Sequence, residues 1–355
     1  MSDGHPGELL IVGYEGLRPP DELGARITEG RVGGVILFAR NIGTPVEVAA
    51  AVAALGRAAP AGPPLIVTVD QEGGRVQRIR EPLTRWPPMA EVAARRDPSL
   101  TRAVGAAVGT ELRRLGFNLD LAPVLDVRSN PDNQVIGDRA FGEGPDEAAE
   151  HALAFFRGLE SAGVRGCGKH FPGHGDTLQD SHEELPRIDA PWERFESLEL
   201  KPFAAAVAAG VPMMMTAHIV YSAVDELPAT MSPAWIDGVL RRRLGFAGVV
   251  VSDDLDMKAV SERFSVEEVV EGGLRAGVDM FLACRDPERQ ARAEEALCRA
   301  AKDPLLGPRV TTALGRARAL RATLAPAIPL SPDELAAAFP DTPNQALSAS
   351  LARPR

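Results

Sequence analysis

Short, nearly unbroken apolar runs alternate with helix-patterned stretches along almost the whole chain. Eight such runs span residues 9–14, 32–38, 64–70, 117–122, 164–170, 211–218, 248–253 and 278–284. They do not alternate apolar with polar, so they predict strands buried on both faces, as in a parallel sheet. The segments between them carry helix start signals. Thr44-Pro45-Val46-Glu47 is a capping box with proline at the first helical position, and Ser265 to Glu268 is a second box. Asp97-Pro98, Ser232-Pro233 and Asp286-Pro287 repeat the cap-then-proline order. Gly116, Gly163, Gly210, Gly245 and Gly277 stand where helices should stop before the next strand.

Repeated helix–glycine–strand units imply βα units, and eight strands imply a closed (β/α)₈ barrel, an α/β fold in one domain. A doubly wound open sheet would carry G-x-G-x-x-G after its first strand. Glu15-Gly16-Leu17-Arg18-Pro19-Pro20 stands there instead, and Gly73-Gly74 after the third run lacks the third glycine. The expected barrel covers residues 1–325. The Ala-, Pro- and Ser-rich tail, 326–355, is expected to pack loosely or extend.

Composition narrows the function classes. The 355 residues are 45% hydrophobic and 25% charged, as for a globular protein with a sizeable core, and carry a net charge of −10. An acidic chain repels phosphate backbones, which argues against a nucleic-acid partner. Three cysteines, Cys167, Cys284 and Cys298, show no short spacing, which argues against a disulfide framework or a cysteine-based zinc site. The N-terminus has neither the basic nor the apolar region of a secretion signal. The apolar stretch 203–215, broken by Gly210 and Pro212, is too short to span a bilayer. A cytoplasmic protein without a membrane partner is expected.

In a barrel, chemistry is carried at the C-terminal ends of the strands. Those ends are unusually polar here. The third run ends at Asp70-Gln71-Glu72, with Arg75 and Arg78 beyond; the fourth is followed by Asp126, Arg128, Asp138 and Arg139. The fifth ends Lys169-His170, the sixth at His218, and the seventh at Ser252-Asp253-Asp254. Plain structural roles compete for each. Asp254 and Asp256 suit helix caps, His218 suits a satisfied core histidine, and Arg139 with Asp138 suits a surface pair. The segment 170–182 is harder to assign to packing, because it combines three histidines, two aspartates and several glycines. Metal binding by His170, His174, Asp176 and His182 is one reading, opposed by the charge of Lys169 and by the absence of a helical ligand spacing. Acid–base work is the other. Asp180-Ser181-His182 can place a carboxylate against an imidazole, with a strand-end carboxylate from 253–254 as nucleophile.

Three stretches resemble the β-N-acetylglucosaminidase branch of glycoside hydrolase family 3. They are Asp70 through Arg78, Lys169 through Thr177 followed by Asp180-Ser181-His182, and Ser252-Asp253-Asp254-Leu255. The likeness runs over roughly residues 8 to 322. It implies Asp253, not Asp254, as nucleophile, His182 as general acid/base and Asp180 as its dyad partner. It implies Asp70, Arg78, Arg139, Lys169 and His170 as sugar-binding residues. It further implies a retaining exo-enzyme on N-acetylglucosamine-containing saccharides, including muropeptide fragments of peptidoglycan recycling, with no metal and no organic cofactor. Ala140, where a serine is common, and Asp256, where a small polar residue is common, depart from the pattern. A β-glucosidase, a phosphorylase on the same scaffold, a metal-dependent barrel hydrolase and a non-catalytic sugar binder are the competing readings.

Overall fold

The structure is a computed structural model that describes residues 4–177 and 184–351. Each apolar run contains a strand: β1 Leu10–Val12, β2 Gly34–Leu37, β3 Ile66–Val69, β4 Leu119–Asp120, β5 Arg165–Phe171, β6 Met213–Thr216, β7 Val249–Asp254 and β8 Met280–Ala283. Neighbours in sequence pair in parallel, and β1 pairs with both β2 and β8, so the sheet closes. The barrel expected from the alternation is therefore present. Six of the strands are shorter than their apolar runs, while β5 and β7 are as long as theirs and shifted by one residue.

Helices such as Pro45–Ala58, Pro98–Arg114, Pro145–Ser161, Val266–Ala276 and Pro287–Ala300 fill the connections. Thr44 and Ser265 form the reciprocal boxes with Glu47 and Glu268, and Asp97 and Asp286 cap two further helices. Ser232 also caps, accepting from the Trp235 amide at 3.2 Å, but the segment it opens, Ala234–Arg243, is a π-helix. All five glycines singled out as helix stops have positive φ, from 79° to 113°, a conformation that side chains with a Cβ disfavour.

The C-terminal tail departs from the expectation of a loose or extended segment. Pro332–Ala338 and Thr342–Leu351 are helices. Leu335, Phe339 and Leu351 are buried, Asp341 pairs with Arg114 at 2.5 Å, and Leu330 donates to the Arg114 carbonyl. The alanines and prolines that read as low complexity serve as helix formers and a helix start, with Ser331 and Glu334 closing a capping box. No helix among the described residues is long and apolar enough to cross a membrane.

Candidate active site

Immediately after β3 the chain makes a small hairpin, Gln71–Gly73 against Val76–Gln77, turned by Gly73 and Gly74 at positive φ. The turn brings Arg78 back beside Asp70: its amide donates to the Asp70 carbonyl at 3.3 Å, and its guanidinium lies 3.6 Å from the carboxylate. Lys169 enters from β5. Its Nζ donates to Asp70 Oδ1 at 2.8 Å and pairs with Glu72 Oε1 at 2.6 Å. Arg139, from the turn Gly137–Arg139 after β4, donates to both Glu72 oxygens at 2.8 Å. Five charges thus alternate in sign: Arg139, Glu72, Lys169, Asp70, Arg78.

Glu72 and Lys169 are each 2% exposed. Burial alone would push the Glu72 pKa up, but Arg139 and Lys169 outweigh it and hold the carboxyl well below the usual range. Burial likewise disfavours charge on Lys169, and Asp70 and Glu72 more than compensate, keeping the ammonium protonated. The pair Arg139–Asp138 does not form: Asp138 bonds Arg75 at 3.0 Å, while Arg139 turns inward.

His170 is held by Asp126. The carboxylate takes the His170 ring Nδ1 at 2.7 Å, the His170 amide at 3.2 Å and the His174 amide at 2.7 Å. Burial opposes ionisation of Asp126, yet His170 and these donors lower its pKa. The His170 ring is thereby fixed with Nε2 as its remaining polar atom. His174 stacks edge-on to His170 and bonds Thr177 at 2.9 Å; burial, then the proximity of His170, lowers its pKa to about 4. The glycines of this loop have a packing reason. A Cβ on Gly175 would lie 1.6 Å from the Val127 carbonyl oxygen, so the loop can press against the 126–130 segment only without a side chain. Tyr221 ties the same loop from below, donating to the Gly173 carbonyl at 2.7 Å.

At the end of β7, Asp253 Oδ1 accepts from the Asp254 amide at 2.8 Å. Asp254 turns its carboxyl to the amides of Asp256 and Cys284, both at 3.1 Å. Burial, with Asp256 nearby, raises its pKa to about 7. Asp256 accepts from the Arg285 amide at 2.7 Å and pairs with Arg289 at 3.0 Å, so both residues brace the loops after β7 and β8. Beneath the site, Asp120 of β4 is fully buried and accepts from the Gln71 amide at 3.0 Å, while its second oxygen has no hydrogen-bond partner among the described residues.

Asp70, Arg78, Arg139, Lys169, His170 and Asp253 all line one pocket of about 380 Å³, with Ile36, Leu121, Met215 and Leu282 among its apolar walls. Asp180 and His182 lie outside the described residues. The three described members of the metal reading are otherwise engaged: His170 with Asp126, His174 with Thr177, and Asp176 with Arg194 at 2.9 Å. Glu72 and Asp126 stood in the polar strand ends but were assigned no role. Their signal was available: each is a carboxylate in a barrel-mouth segment rich in cations, where an unpaired charge would be costly.

The profile of the glycosyl hydrolase family 3 N-terminal domain matches residues 3–305. The chain belongs to glycosyl hydrolase family 3. A β-hexosaminidase from Alkalilimnicola ehrlichii is 43% identical over 288 residues, 79% of this chain and 81% of that protein. A solved family 3 β-N-acetylglucosaminidase from Paenibacillus sp. superposes with TM-score 0.88 at 37% identity, over 99% of this chain and 68% of that one. NagZ from Neisseria gonorrhoeae superposes with TM-score 0.82 at 31% identity over 98% of both chains. A second structure of that NagZ, at TM-score 0.81 and 30% identity, holds N-trifluoroacetyl-D-glucosamine.

Glu72→Gln keeps the shape but leaves Lys169 and Arg139 to share one carboxylate fewer. Unfolding in urea should show a loss of about 3 kcal/mol, and kcat/KM should fall at least about tenfold as Lys169 and Arg139 relax from their positions. Asp120 has a pKa raised to about 8, chiefly by burial. A carboxyl raised in the folded state contributes stability that is present below its unfolded pKa and is lost as pH rises through the folded value. Asp120→Asn, which keeps an acceptor for the Gln71 amide, should therefore gain in Tm relative to the parent as pH rises from about 4 to 8. Parallel melting curves across that range check the sign; a constant offset would show that Asp120 does not titrate there.

Proposed function

We propose that this family 3 enzyme is a retaining exo-β-N-acetylglucosaminidase, with Asp253 as nucleophile and His182, oriented by Asp180, as general acid and base. The observation that carries the reading is the convergence of Asp253 with Asp70, Arg78, Arg139, Lys169 and His170 on one pocket. A sugar ring presents hydroxyls that both donate and accept. Lys169, Arg78 and Arg139 offer charge-assisted donors, and Asp70 offers an acceptor. Apolar walls from Ile36, Leu121, Met215 and Leu282 suit the carbon faces of a ring, and a pocket rather than a through-groove suits a chain end. Relatives named β-hexosaminidase and a similar structure holding a glucosamine derivative support a hexosamine in that place.

The reaction is then a double displacement. An Asp253 carboxylate oxygen forms a bond to the anomeric carbon as the glycosidic C–O bond breaks and His182 gives its proton to the leaving oxygen. Water adds to the same carbon, His182 takes a water proton, and the bond to Asp253 breaks. Two inversions leave the configuration retained. A histidine in the acid/base role is matched to neutral pH by its ordinary pKa. The substrate we assign is the terminal N-acetylglucosamine of muropeptide fragments bearing anhydro-N-acetylmuramic acid, processed in the cytoplasm.

p-Nitrophenyl N-acetyl-β-glucosaminide should be cleaved far faster than the β-glucoside, and NMR should show the β-anomer as first product. Asp253→Ala should lose several orders of magnitude in kcat, Asp254→Ala much less. A fluorosugar inactivator should label the peptide containing Asp253. A label elsewhere, or an α-anomer as first product, would reject the assignment.

A further inference from the structure

The strand that carries Asp253 is irregular at that point. Val251 of β7 pairs with Met280 of β8, and Asp254 pairs with Leu282, so three steps on one strand match two on the other. The extra residue falls in Ser252–Asp253 and makes a bulge, a device that redirects a side chain at the cost of regular ladder bonds. Buried backbone groups that lose ladder partners need others. Ser252, fully buried, accepts the Leu282 amide on its hydroxyl at 3.1 Å. His218, fully buried at the end of β6, places Nε2 3.2 Å from the Asp254 carbonyl.

A neutral ring leaves one arrangement of protons that satisfies both of its nitrogens. A carbonyl only accepts, so His218 Nε2 carries a hydrogen. Burial lowers the His218 pKa, so the ring is neutral and Nδ1 is a bare acceptor. Thr230 Oγ1 lies 2.8 Å from Nδ1 and 3.2 Å from the Ala217 carbonyl; with Nδ1 bare, it is the hydroxyl placed to donate to the ring. Having given its only proton there, Thr230 accepts from Thr216 Oγ1 at 2.9 Å. Thr216, Thr230 and His218 all have zero exposure. The chain runs in one direction, Thr216 to Thr230 to His218 to the Asp254 carbonyl. Asp254 in turn gives its amide proton to Asp253 Oδ1 at 2.8 Å. The carbonyl that His218 holds and the amide that holds Asp253 belong to the same residue.

We propose that His218 is a positioning residue for the nucleophile: as a neutral ring protonated on Nε2, it clamps the bulge through the Asp254 carbonyl and so sets the direction of the Asp253 carboxylate. The proposal rests on Asp253 being the nucleophile. His218 touches no sugar in this scheme, so its loss should reduce chemistry more than binding.

The test compares His218→Ala, His218→Gln, Thr230→Val and Asp253→Ala on p-nitrophenyl N-acetyl-β-glucosaminide, with melting curves alongside. His218→Ala should lower kcat on the order of 10²-fold, as a small misplacement of a reacting group does, with KM changed by less than about threefold. His218→Gln, whose amide can donate from near the position of Nε2, should recover about tenfold of that loss. Thr230→Val leaves the ring but removes the donor to Nδ1, and should fall between them. The ¹⁵N shifts of labelled histidine rings, with His218 assigned by difference against His218→Gln, should show Nδ1 bare and Nε2 protonated. A protonated Nδ1, or a His218→Ala enzyme with kcat within about threefold of the parent, overturns the proposal. So does equal loss in the Ala and Gln variants with KM raised. If Asp253→Ala is fully active, the nucleophile reading falls and the positioning role with it. If Asp253→Ala is dead and His218→Ala is normal, only the positioning role falls. Should His218→Ala melt out, Thr230→Val and the ring shifts decide.

Discussion

Lys169 carries an ammonium where almost no water reaches, and the site is arranged around making that charge tolerable. A lone buried cation would shed its proton or unfold the barrel mouth. Asp70 and Glu72 prevent both, and they can do so only because the hairpin after β3 sets them on either side of Gln71. Glu72 then needs a second cation, which Arg139 supplies in a fork of two bonds. Lys169 and Arg139 are neutralised by carboxylates from a different strand end, and Arg78 by Asp70 across the hairpin turn. The network is thus a product of barrel closure, and it leaves Lys169, Arg139 and Arg78 aimed at the pocket with little freedom. Such rigidity is what the charge-assisted sugar recognition proposed for this pocket requires.

The same logic governs the other two walls. Asp126 gathers three donors from the His170–His174 segment, converting a glycine-rich loop into a fixed platform. The bulge in β7 turns Asp253 toward the mouth while Ser252 and His218 replace the lost ladder bonds. Buried polar groups in this protein are therefore mostly instruments of orientation. Their free-energy cost is offset by a large aliphatic and aromatic core, in which Trp235, Phe171, Phe195 and Tyr221 pack edge to face beside the Gly173 turn.

Much of this was legible beforehand. Eight unbroken apolar runs imply strands buried on both faces, and the caps at Thr44, Asp97, Ser265 and Asp286 imply the helices between them; both depend on interactions within a few residues. Asp70, Arg78, Lys169 and His170 stand among the polar strand ends that a barrel brings to one mouth, but only the family resemblance singles them out from that set. Composition alone does not reveal the tail helices, since alanines and prolines suit both a loose segment and a capped helix. Glu72 and Asp126 went unassigned because their value lies in partners 67 and 44 residues away, a relation no local pattern displays.

The eight barrel strands, the capped helices between them, their order and the polar residues delivered to one rim follow from the amino-acid pattern, because periodicity, capping and turn chemistry act locally. Which carboxylate neutralises which cation, the turn of Arg139 to Glu72 and not to Asp138, and the bulge of β7 at the residue bearing the carboxylate emerge only in the folded chain. Those outcomes turn on burial and on distances of a few ångströms between remote strand ends, where electrostatic interactions strengthen as water is excluded. Neither quantity exists until the barrel has closed.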